Sequence, residues 1–237
     1  MIRLLAVDID GTLTFNDRRL DLAAVEAIRK AEGAGISVVI ATGNLFRYAE
    51  AASILIGTSG PVIAEDGGVV FDFSNEKMHV LGDRVDADRG LAALERVFGK
   101  LELTRSSSDR LTGVTIKRTV SLDEVRKVIQ REGLPIVAVD SGLAIHLRGL
   151  EVNKGNALRM VSSIAKVPLA EIAAIGDGSN DVEMLQFAGL SFAVANSVEE
   201  ARMASTRVTK SPHGKGVAEA VEEILKFSGQ SLSRRVF

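Results

Sequence analysis

Acidic side chains follow the apolar runs of this sequence, at positions that suit chemistry on phosphate. Asp8 and Asp10 come directly after the run IRLLAV, near the start of the chain. Carboxylates are costly to bury unless a cation or hydrogen bonds compensate their charge. In an open α/β sheet, ligands bind beyond the carboxyl ends of the strands. Residues that follow several such strands are therefore expected to form one site.

Polar groups occupy the same position after two further apolar runs, ISVVIA and IAAI, and an amine opens a later helical stretch. These site residues are Thr42, Gly43, Lys154, Asp177, Asn180 and Asp181. Mg²⁺ prefers oxygen ligands and retains several waters, so a few carboxylates suffice to bind it. A carboxylate also attacks phosphoryl groups, and a metal and an amine offset the repulsion between the two anions. A second carboxylic acid protonates the leaving group and then deprotonates water.

Short apolar runs alternate with helical patterns along most of the chain. Continuous apolar strands separated by helices favour a parallel sheet with helices on its faces, and GPVIAEDGG repeats the pattern of strand and turn. Between Gly82 and Val152 the strands alternate more, and DSGL predicts a hairpin turn. The prediction is an α/β protein with a Rossmann-like core of residues 1–81 and 153–237, and an inserted α+β cap of residues 82–152. Residues 228–237 are expected to pack weakly.

The composition argues against several classes of protein. The formal net charge is -2, so electrostatics favours neither a nucleic-acid partner nor a membrane surface. No run reaches the roughly 18 apolar residues of a membrane span, and the first residues lack the layout of a signal peptide. The chain has no cysteine, which excludes disulfides, thiolate ligands and a cysteine nucleophile. We expect a cytoplasmic monomer or homodimer that acts on a small phosphorylated metabolite.

The motifs DIDGT, ATGN, Lys154 and GDGSND resemble, in order and spacing, the four motifs of the haloacid dehalogenase superfamily. The residues of these motifs, and the late stretch GKGVAEAVEEIL, resemble most the Cof-type phosphatases of this superfamily. These phosphatases carry a C2-type cap between the second and third motifs. In length and compact cap the chain most resembles the archaeal-type phosphoglycolate phosphatases. The resemblance implies Mg²⁺-dependent hydrolysis of a small phosphomonoester, 2-phosphoglycolate above all, through an aspartyl phosphate.

The resemblance also implies a role for each residue of the early motifs. Asp8 is expected to be the nucleophile and a Mg²⁺ ligand. Asp10 is expected to be the general acid and base, and to ligate the metal through its backbone carbonyl. Thr42 and Gly43 are expected to bind the phosphoryl group, and Lys154 to neutralise the charge of nucleophile and phosphate.

In the late motif, the resemblance implies that Asp177 completes the metal site and that Asn180 orients its loop. Asp181 is expected to be a further ligand or to support the site from outside, although it could instead cap the helix that follows. Asp66, in AEDGG, stands where related phosphatases often carry Asn. We interpret Asp66 as a turn residue beside the hinge of the cap, and the change weakens the expectation of a sugar phosphate as substrate.

Cationic residues of the predicted cap are expected to form a mostly solvated face, of which one residue could bind a substrate carboxylate. They include Arg105, Arg110, Lys117 and Arg148. The histidines do not cluster in the sequence and are expected to be structural or exposed; they are His79, His146 and His213.

Other functions remain open at this stage. The substrate could be a sugar phosphate or another phosphorylated metabolite. A phosphomutase needs the same help from Asp10 and differs in the group that accepts the phosphoryl. A metabolite-binding module that has lost turnover predicts damaged motifs, yet Asp8, Asp10, Lys154 and Asp177 are all present.

Overall fold

The computed structural model describes the backbone of residues 1–233 and the side chains of residues 1–227. The predicted weakly packed tail, residues 228–237, lies outside the described side chains. The strands are β1 (Leu4–Val7), β2 (Ser37–Ile40), β3 (Val62–Ala64), β4 (Val69–Asp72), β5 (Lys77–Val80), β6 (Gly113–Ile116), β7 (Ile136–Asp140), β8 (Ile145–Gly149), β9 (Ile172–Gly176), β10 (Leu190–Ala193) and β11 (Arg207–Val208). The helices are α1 (Leu22–Gly33), α2 (Phe46–Ile56), α3 (Val85–Phe98), α4 (Leu122–Arg131), α5 (Lys154–Ala165), α6 (Val182–Phe187), α7 (Glu199–Ala204) and α8 (His213–Ser233).

Five parallel strands form the central sheet, in the order β11, β10, β9, β1, β2. Every residue of β1 is buried, as expected for a continuous apolar strand covered on both faces. Because β1 lies between β2 and β9, the turns that follow these three strands are neighbours at one edge of the sheet. The prediction of a Rossmann-like α/β core is confirmed.

Alternate residues of β1 pack against different helices, because successive side chains point to opposite faces of a sheet. Leu5 and Val7 belong to the apolar cluster that includes residues of α1, α2 and α8. Leu4 and Ala6 belong to the cluster that includes residues of α5, α6 and α7. None of the helices within the described residues combines the length and the apolar character needed to cross a membrane.

The run GPVIAEDGG forms the predicted strand and turn, but the strand does not extend the parallel sheet. Strand β3 pairs antiparallel with β4, and β4 with β5, in a separate three-stranded sheet. A parallel bridge between Ala41 and Ile63 joins this sheet to the end of β2. β3 therefore runs parallel to β2, as predicted, whereas its antiparallel pairing with β4 was not predicted. Glu65 and Asp66 have positive φ, 52° and 58°, in the turn that leads from β3 into β4.

Residues 85–149, which we name the inserted segment, form a layer of their own. Strands β6, β8 and β7 make an antiparallel sheet, and helices α3 and α4 pack on it through a cluster that includes Leu94, Val125 and Leu147. The turn between β7 and β8 has Gly142 at φ 78°, as the predicted hairpin requires. The α+β character agrees with the sequence analysis, and the cap boundaries at residues 82 and 152 stay a prediction.

Candidate active site

The turn after β1 contacts the turn after β9 closely. The Thr12 hydroxyl donates to Asp177 Oδ1 at 2.8 Å. Gly11 has φ 88°, and a Cβ there would lie 2.3 Å from Asp177 Oδ2. A side chain at residue 11 would therefore push the two turns apart, so glycine is required by both the backbone conformation and the space. This approach brings Asp177 next to the turn that carries Asp8.

Three predicted site residues form one carboxylate cluster. Asp8, Asp177 and Asp181 each offer an oxygen, and these oxygens lie within 4.8 Å of one another. Lys154, at the start of α5, is fully buried beside them. Its Nζ donates to Asp8 Oδ1 and to Asp181 Oδ1, both at 2.6 Å. One ammonium therefore compensates part of the charge of three carboxylates.

The pKa values of the cluster reflect this excess of negative charge. Burial, followed by repulsion from Asp181, raises the pKa of Asp8 well above its usual range, although Lys154 opposes the change. The same two causes raise the pKa of Asp177 to about 7. Burial acts to lower the pKa of Lys154, but Asp181 and Asp8 outweigh it and raise that pKa. Clustered carboxylate oxygens of this kind fit a hard divalent cation, which would supply the missing positive charge.

Asp181 also shapes the loop that carries Asp177. Its Oδ2 accepts from the backbone N–H groups of Asp177 at 3.0 Å and Gly178 at 2.9 Å. Asp181 makes no capping hydrogen bond to α6, but its contact with Gly178 N belongs to a capping box on the 3-10 helix Ser179–Asp181, so a capping role is observed there. The two predicted roles, metal ligand and support, remain alternatives.

Asp10 lies apart from the carboxylate cluster and faces a cavity. Its Oδ1 accepts from Arg18 Nε at 2.9 Å, and its Oδ2 accepts from Asn44 Nδ2 at 2.5 Å. The Asp10 side chain is 18% exposed, whereas that of Asp8 is 6% exposed. Asp10 is thus held in place and remains accessible, as a group that exchanges protons with substrate and water needs to be.

Thr42 and Gly43 follow β2 and adjoin the same region. The Thr42 hydroxyl is buried and accepts from Asn44 N at 3.1 Å and from Asn44 Nδ2 at 2.9 Å. Gly43 lines the cavity, and a Cβ there would lie 2.7 Å from Asp66 Oδ1. The contact of Thr42 with a phosphoryl group stays a prediction.

The cavity has a volume of about 200 Å³ and lies between the central sheet and the inserted segment. Its core side carries Asp8, Asp10 and Asp177. Its other side is formed by polar side chains of the inserted segment, among them Thr104, Ser106, Arg110, Thr115, Ser141 and His146. The arrangement can place a small phosphorylated molecule with its phosphoryl group toward the carboxylates.

Comparison with known proteins identifies the family. The family of haloacid dehalogenase-like hydrolases matches residues 5–88 and 103–221. The chain belongs to the haloacid dehalogenase-like hydrolases. The predictions of this superfamily and of a hydrolytic enzyme are confirmed.

This hydrolase has curated relatives that match it over nearly their whole length. It is 40% identical to phosphoglycolate phosphatase of Methanothermobacter thermautotrophicus, over 94% of this chain and 99% of that protein. It is 42% identical to phosphoglycolate phosphatase of Archaeoglobus fulgidus, over 93% and 96%. The crystal structure of Thermoplasma acidophilum 0175 superposes with a TM-score of 0.85 at 27% identity, over 94% of this chain and 98% of that one.

The sequence analysis missed a buried polar network around Asp66 of the hydrolase. Asp66 accepts from His146 Nδ1 at 2.5 Å, from Arg110 Nη2 at 3.2 Å and from Asn180 Nδ2 at 3.1 Å. Burial opposes ionisation of Asp66, but the charges of His146 and Arg110 hold its pKa well below the usual range. Asp66 is therefore more than a turn residue, because it joins the turn after β3 to the inserted segment and to the late motif.

The prediction that the cationic residues of the cap are solvated is wrong for two of the four residues named. Arg105 and Lys117 are exposed, whereas Arg110 and Arg148 are buried. Arg148 donates to Glu183 Oε1 at 3.2 Å, so it lies against α6 of the core. Two features of the sequence could have pointed to this network. One is Asp66, which stands where related phosphatases often carry Asn, and the other is the set of arginines considered for a substrate carboxylate.

The histidines differ from one another in their surroundings. His146 is buried against Asp66, and its Nε2 lies 3.0 Å from the Ser141 hydroxyl. His213 is partly exposed, and its Nδ1 lies 2.9 Å from the carbonyl oxygen of Gly11. His79 is partly exposed on β5. These positions agree with the prediction that the histidines are structural or exposed. The sequence analysis did not predict that His146 lines the cavity.

Proposed function

We propose that this hydrolase is a Mg²⁺-dependent phosphatase that converts 2-phosphoglycolate and water to glycolate and phosphate. One observation carries the proposal. A carboxylate cluster with excess negative charge and a buried lysine opens onto a cavity of about 200 Å³, which suits a small phosphorylated molecule. The phosphoglycolate phosphatases that match at 40% and 42% identity support the choice of substrate.

In the first step, the Asp8 carboxylate attacks the phosphorus and forms an aspartyl phosphate. The bond from phosphorus to the glycolate oxygen breaks, and the Asp10 carboxylic acid gives its proton to that oxygen. Lys154, which already contacts Asp8, offsets the repulsion between the nucleophile and the phosphoryl oxygens. Arg18 and Asn44 hold the Asp10 carboxylate in position for this transfer.

In the second step, water attacks the phosphorus of the aspartyl phosphate. The Asp10 carboxylate accepts a proton from the water, and the bond between phosphorus and the Asp8 oxygen breaks. Phosphate is released, and Asp8 is restored as a carboxylate. The same residue thus serves as acid in the first step and as base in the second.

Asp8, Asp177 and the backbone carbonyl of Asp10 would hold the Mg²⁺ ion, with Asp181 as a further ligand or support. When bound, the ion supplies positive charge that stabilises the phosphoryl oxygens. The predicted cap, residues 82–152, would cover the site and limit substrates to small molecules. A cytoplasmic location and a monomeric or homodimeric state complete the proposal.

Release of inorganic phosphate tests this function. The protein is incubated with Mg²⁺ and with 2-phosphoglycolate, a sugar phosphate, a nucleotide or pyridoxal phosphate. We expect release to be strongest on 2-phosphoglycolate, to stop with EDTA, and to fall about 10³-fold or more in Asp8→Asn. The matched control is Asp17→Asn, which removes an exposed carboxylate paired with Arg19 and should leave activity unchanged.

Each alternative predicts a different result. Strongest release on a sugar phosphate would keep the mechanism and replace the substrate. Full activity in Asp8→Asn would refute the assignment of the nucleophile. No release from any ester by metal-loaded protein would favour the phosphomutase or the binding module.

A further inference from the structure

We propose that Arg110 binds the carboxylate of the substrate's leaving group, in a subsite on the wall that the inserted segment contributes to the cavity. The inference rests on the proposed hydrolysis of 2-phosphoglycolate, and it explains how the enzyme selects an ester with an anionic leaving group. Three observations support it: a guanidinium nitrogen of Arg110 without a partner, the turn that connects Arg110 to Asp10, and hydroxyl groups that line the same cavity.

Arg110 is a buried cation in which one guanidinium nitrogen has no partner within the described residues. Its side chain is 4% exposed, although the residue lines the cavity. Nη1 donates to the Gly43 carbonyl at 2.9 Å and Nη2 donates to Asp66 at 3.2 Å. Within the described part of the chain, Nε has no hydrogen-bond partner. A buried charged donor without an acceptor is costly, so an anion in the cavity that accepts from Arg110 would be favoured.

Short contacts connect Arg110 to the proposed acid and base. The Gly43 carbonyl accepts from Arg110, and the next residue, Asn44, donates to Asp10 Oδ2 at 2.5 Å. Arg110 and Asp10 thus flank the same two-residue turn. In 2-phosphoglycolate a single methylene separates the ester oxygen, which Asp10 would protonate, from the carboxylate. A subsite for that carboxylate therefore has to lie in the cavity that Asp10 faces, and Arg110 lines this same cavity.

Hydroxyl groups line the cavity next to this position. Thr104 Oγ1 lies 2.5 Å from Thr115 Oγ1 and 3.4 Å from Ser106 Oγ, and all three residues face the cavity. Hydroxyls donate to carboxylate oxygens, so they would complement the guanidinium around a small anion.

A second arginine on the cavity wall is a weaker candidate. Arg18 donates through Nε to Asp10 and through Nη2 to Asn44, and its side chain is 43% exposed. Its contacts serve to position Asp10. Arg110, in contrast, is fixed by Asp66 and by a backbone carbonyl, and Asp66 is itself held by His146 and Asn180. A rigid guanidinium of this kind binds a planar carboxylate with little loss of side-chain entropy.

The test compares two esters that differ at the carboxylate alone. 2-Phosphoglycolate carries it, and 2-hydroxyethyl phosphate carries a neutral CH₂OH group in its place. We expect Arg110→Gln to lower kcat/KM for 2-phosphoglycolate about 10- to 100-fold, as for loss of a charge-assisted hydrogen bond. For the neutral ester, kcat/KM should stay within about threefold of wild type. Lys117→Gln, which changes an exposed cation of the same segment, should leave both values unchanged.

A second variant keeps the test decisive if Arg110→Gln fails to fold. Thr104→Val removes a cavity hydroxyl without touching Asp66, and it should lower kcat/KM for 2-phosphoglycolate about 3- to 10-fold more than for the neutral ester. Equal losses on both esters, in either variant, would overturn the subsite. Poor release from 2-phosphoglycolate by the wild type, with good release from a sugar phosphate, would instead overturn the proposed function.

Discussion

The two ends of the cavity handle charge in opposite ways. At the end formed by the central sheet, Asp8, Asp177 and Asp181 surround the single ammonium of Lys154. At the end formed by the inserted segment, the single carboxylate of Asp66 accepts hydrogen bonds from Arg110 and His146. The first end has carboxylates in excess, and the second has donors in excess.

The difference separates an end whose carboxylates lack enough positive charge from one whose buried carboxylate is already compensated by donors of the chain. Burial, followed by repulsion from Asp181, raises the pKa of Asp8 and of Asp177, so a bound cation would stabilise the ionised carboxylates of the first end. The second end stabilises the ionised form of Asp66 without any added ion. We therefore expect Mg²⁺ to affect stability through the first end and to leave the contribution of the second end unchanged.

Removal of the single ammonium should have the largest effect on stability. Lys154→Met leaves three clustered carboxylates without a cation, and breaking a buried pair in this way costs about 3–5 kcal/mol. Urea unfolding at pH 8 without metal measures the loss, and Mg²⁺ should add more stability to the variant than to the wild type. Lys117→Met, which breaks a solvent-exposed pair with Glu102, should have far less effect. Equal losses in the two variants would contradict a special role of the cluster.

Removal of the Asp66 charge, at the end formed by the inserted segment, should lower the free energy of unfolding by less. This loss should not depend on Mg²⁺. Asp66→Asn keeps a hydrogen-bonding group of the same size but leaves Arg110 and His146 without their counter-charge. We expect a loss of about 2–3 kcal/mol in the free energy of unfolding, the same with and without Mg²⁺. Asp88→Asn, at an exposed pair with Arg84, is the matched control. Rescue of Asp66→Asn by Mg²⁺ would show that the two ends do not act separately.

The same two regions also differ in how far the sequence reveals them. The carboxylate end could be predicted because its residues lie directly after apolar strands, and parallel strands bring their carboxyl ends to one edge. Asp8 and Asp177 are far apart in the chain, yet pairing of β1 with β9 makes their turns neighbours. Their separation in sequence therefore did not hide the cluster.

The polar network around Asp66 follows no such rule. Arg110 is 44 residues from Asp66, and His146 is 80 residues away. Neither lies next to a strand end of the central sheet, and which face of the inserted segment meets the core depends on tertiary packing. The sequence predicted that β3 runs parallel to β2 but not that it also pairs antiparallel with β4, through a turn in which Glu65 and Asp66 have positive φ. Local periodicity does not encode either feature.

The response to pH compares the two ends of the cavity in one experiment. In metal-free protein, the pKa of Asp177 is about 7, above the ordinary value of 3.8. Between about pH 4 and 7 the folded state keeps a proton that the unfolded state has lost, so stability should fall as pH rises. The pKa of Asp66 is lowered instead, so its contribution is present above about pH 4 and is lost as pH falls through its folded pKa.

Urea unfolding from pH 3 to 8, with EDTA present, separates these two contributions. Asp177→Asn should lessen the fall in stability between pH 4 and 7, to which Asp8 also contributes, and Asp66→Asn should lessen the loss below pH 4. Mg²⁺ should reverse this fall in stability near neutral pH. The carboxylates ionise there and repel one another, and the bound cation offsets their repulsion. A wild-type stability that rises steadily from pH 4 to 7 without metal would mean that Lys154 alone balances the cluster, and the main physical reason to expect a divalent cation would be lost.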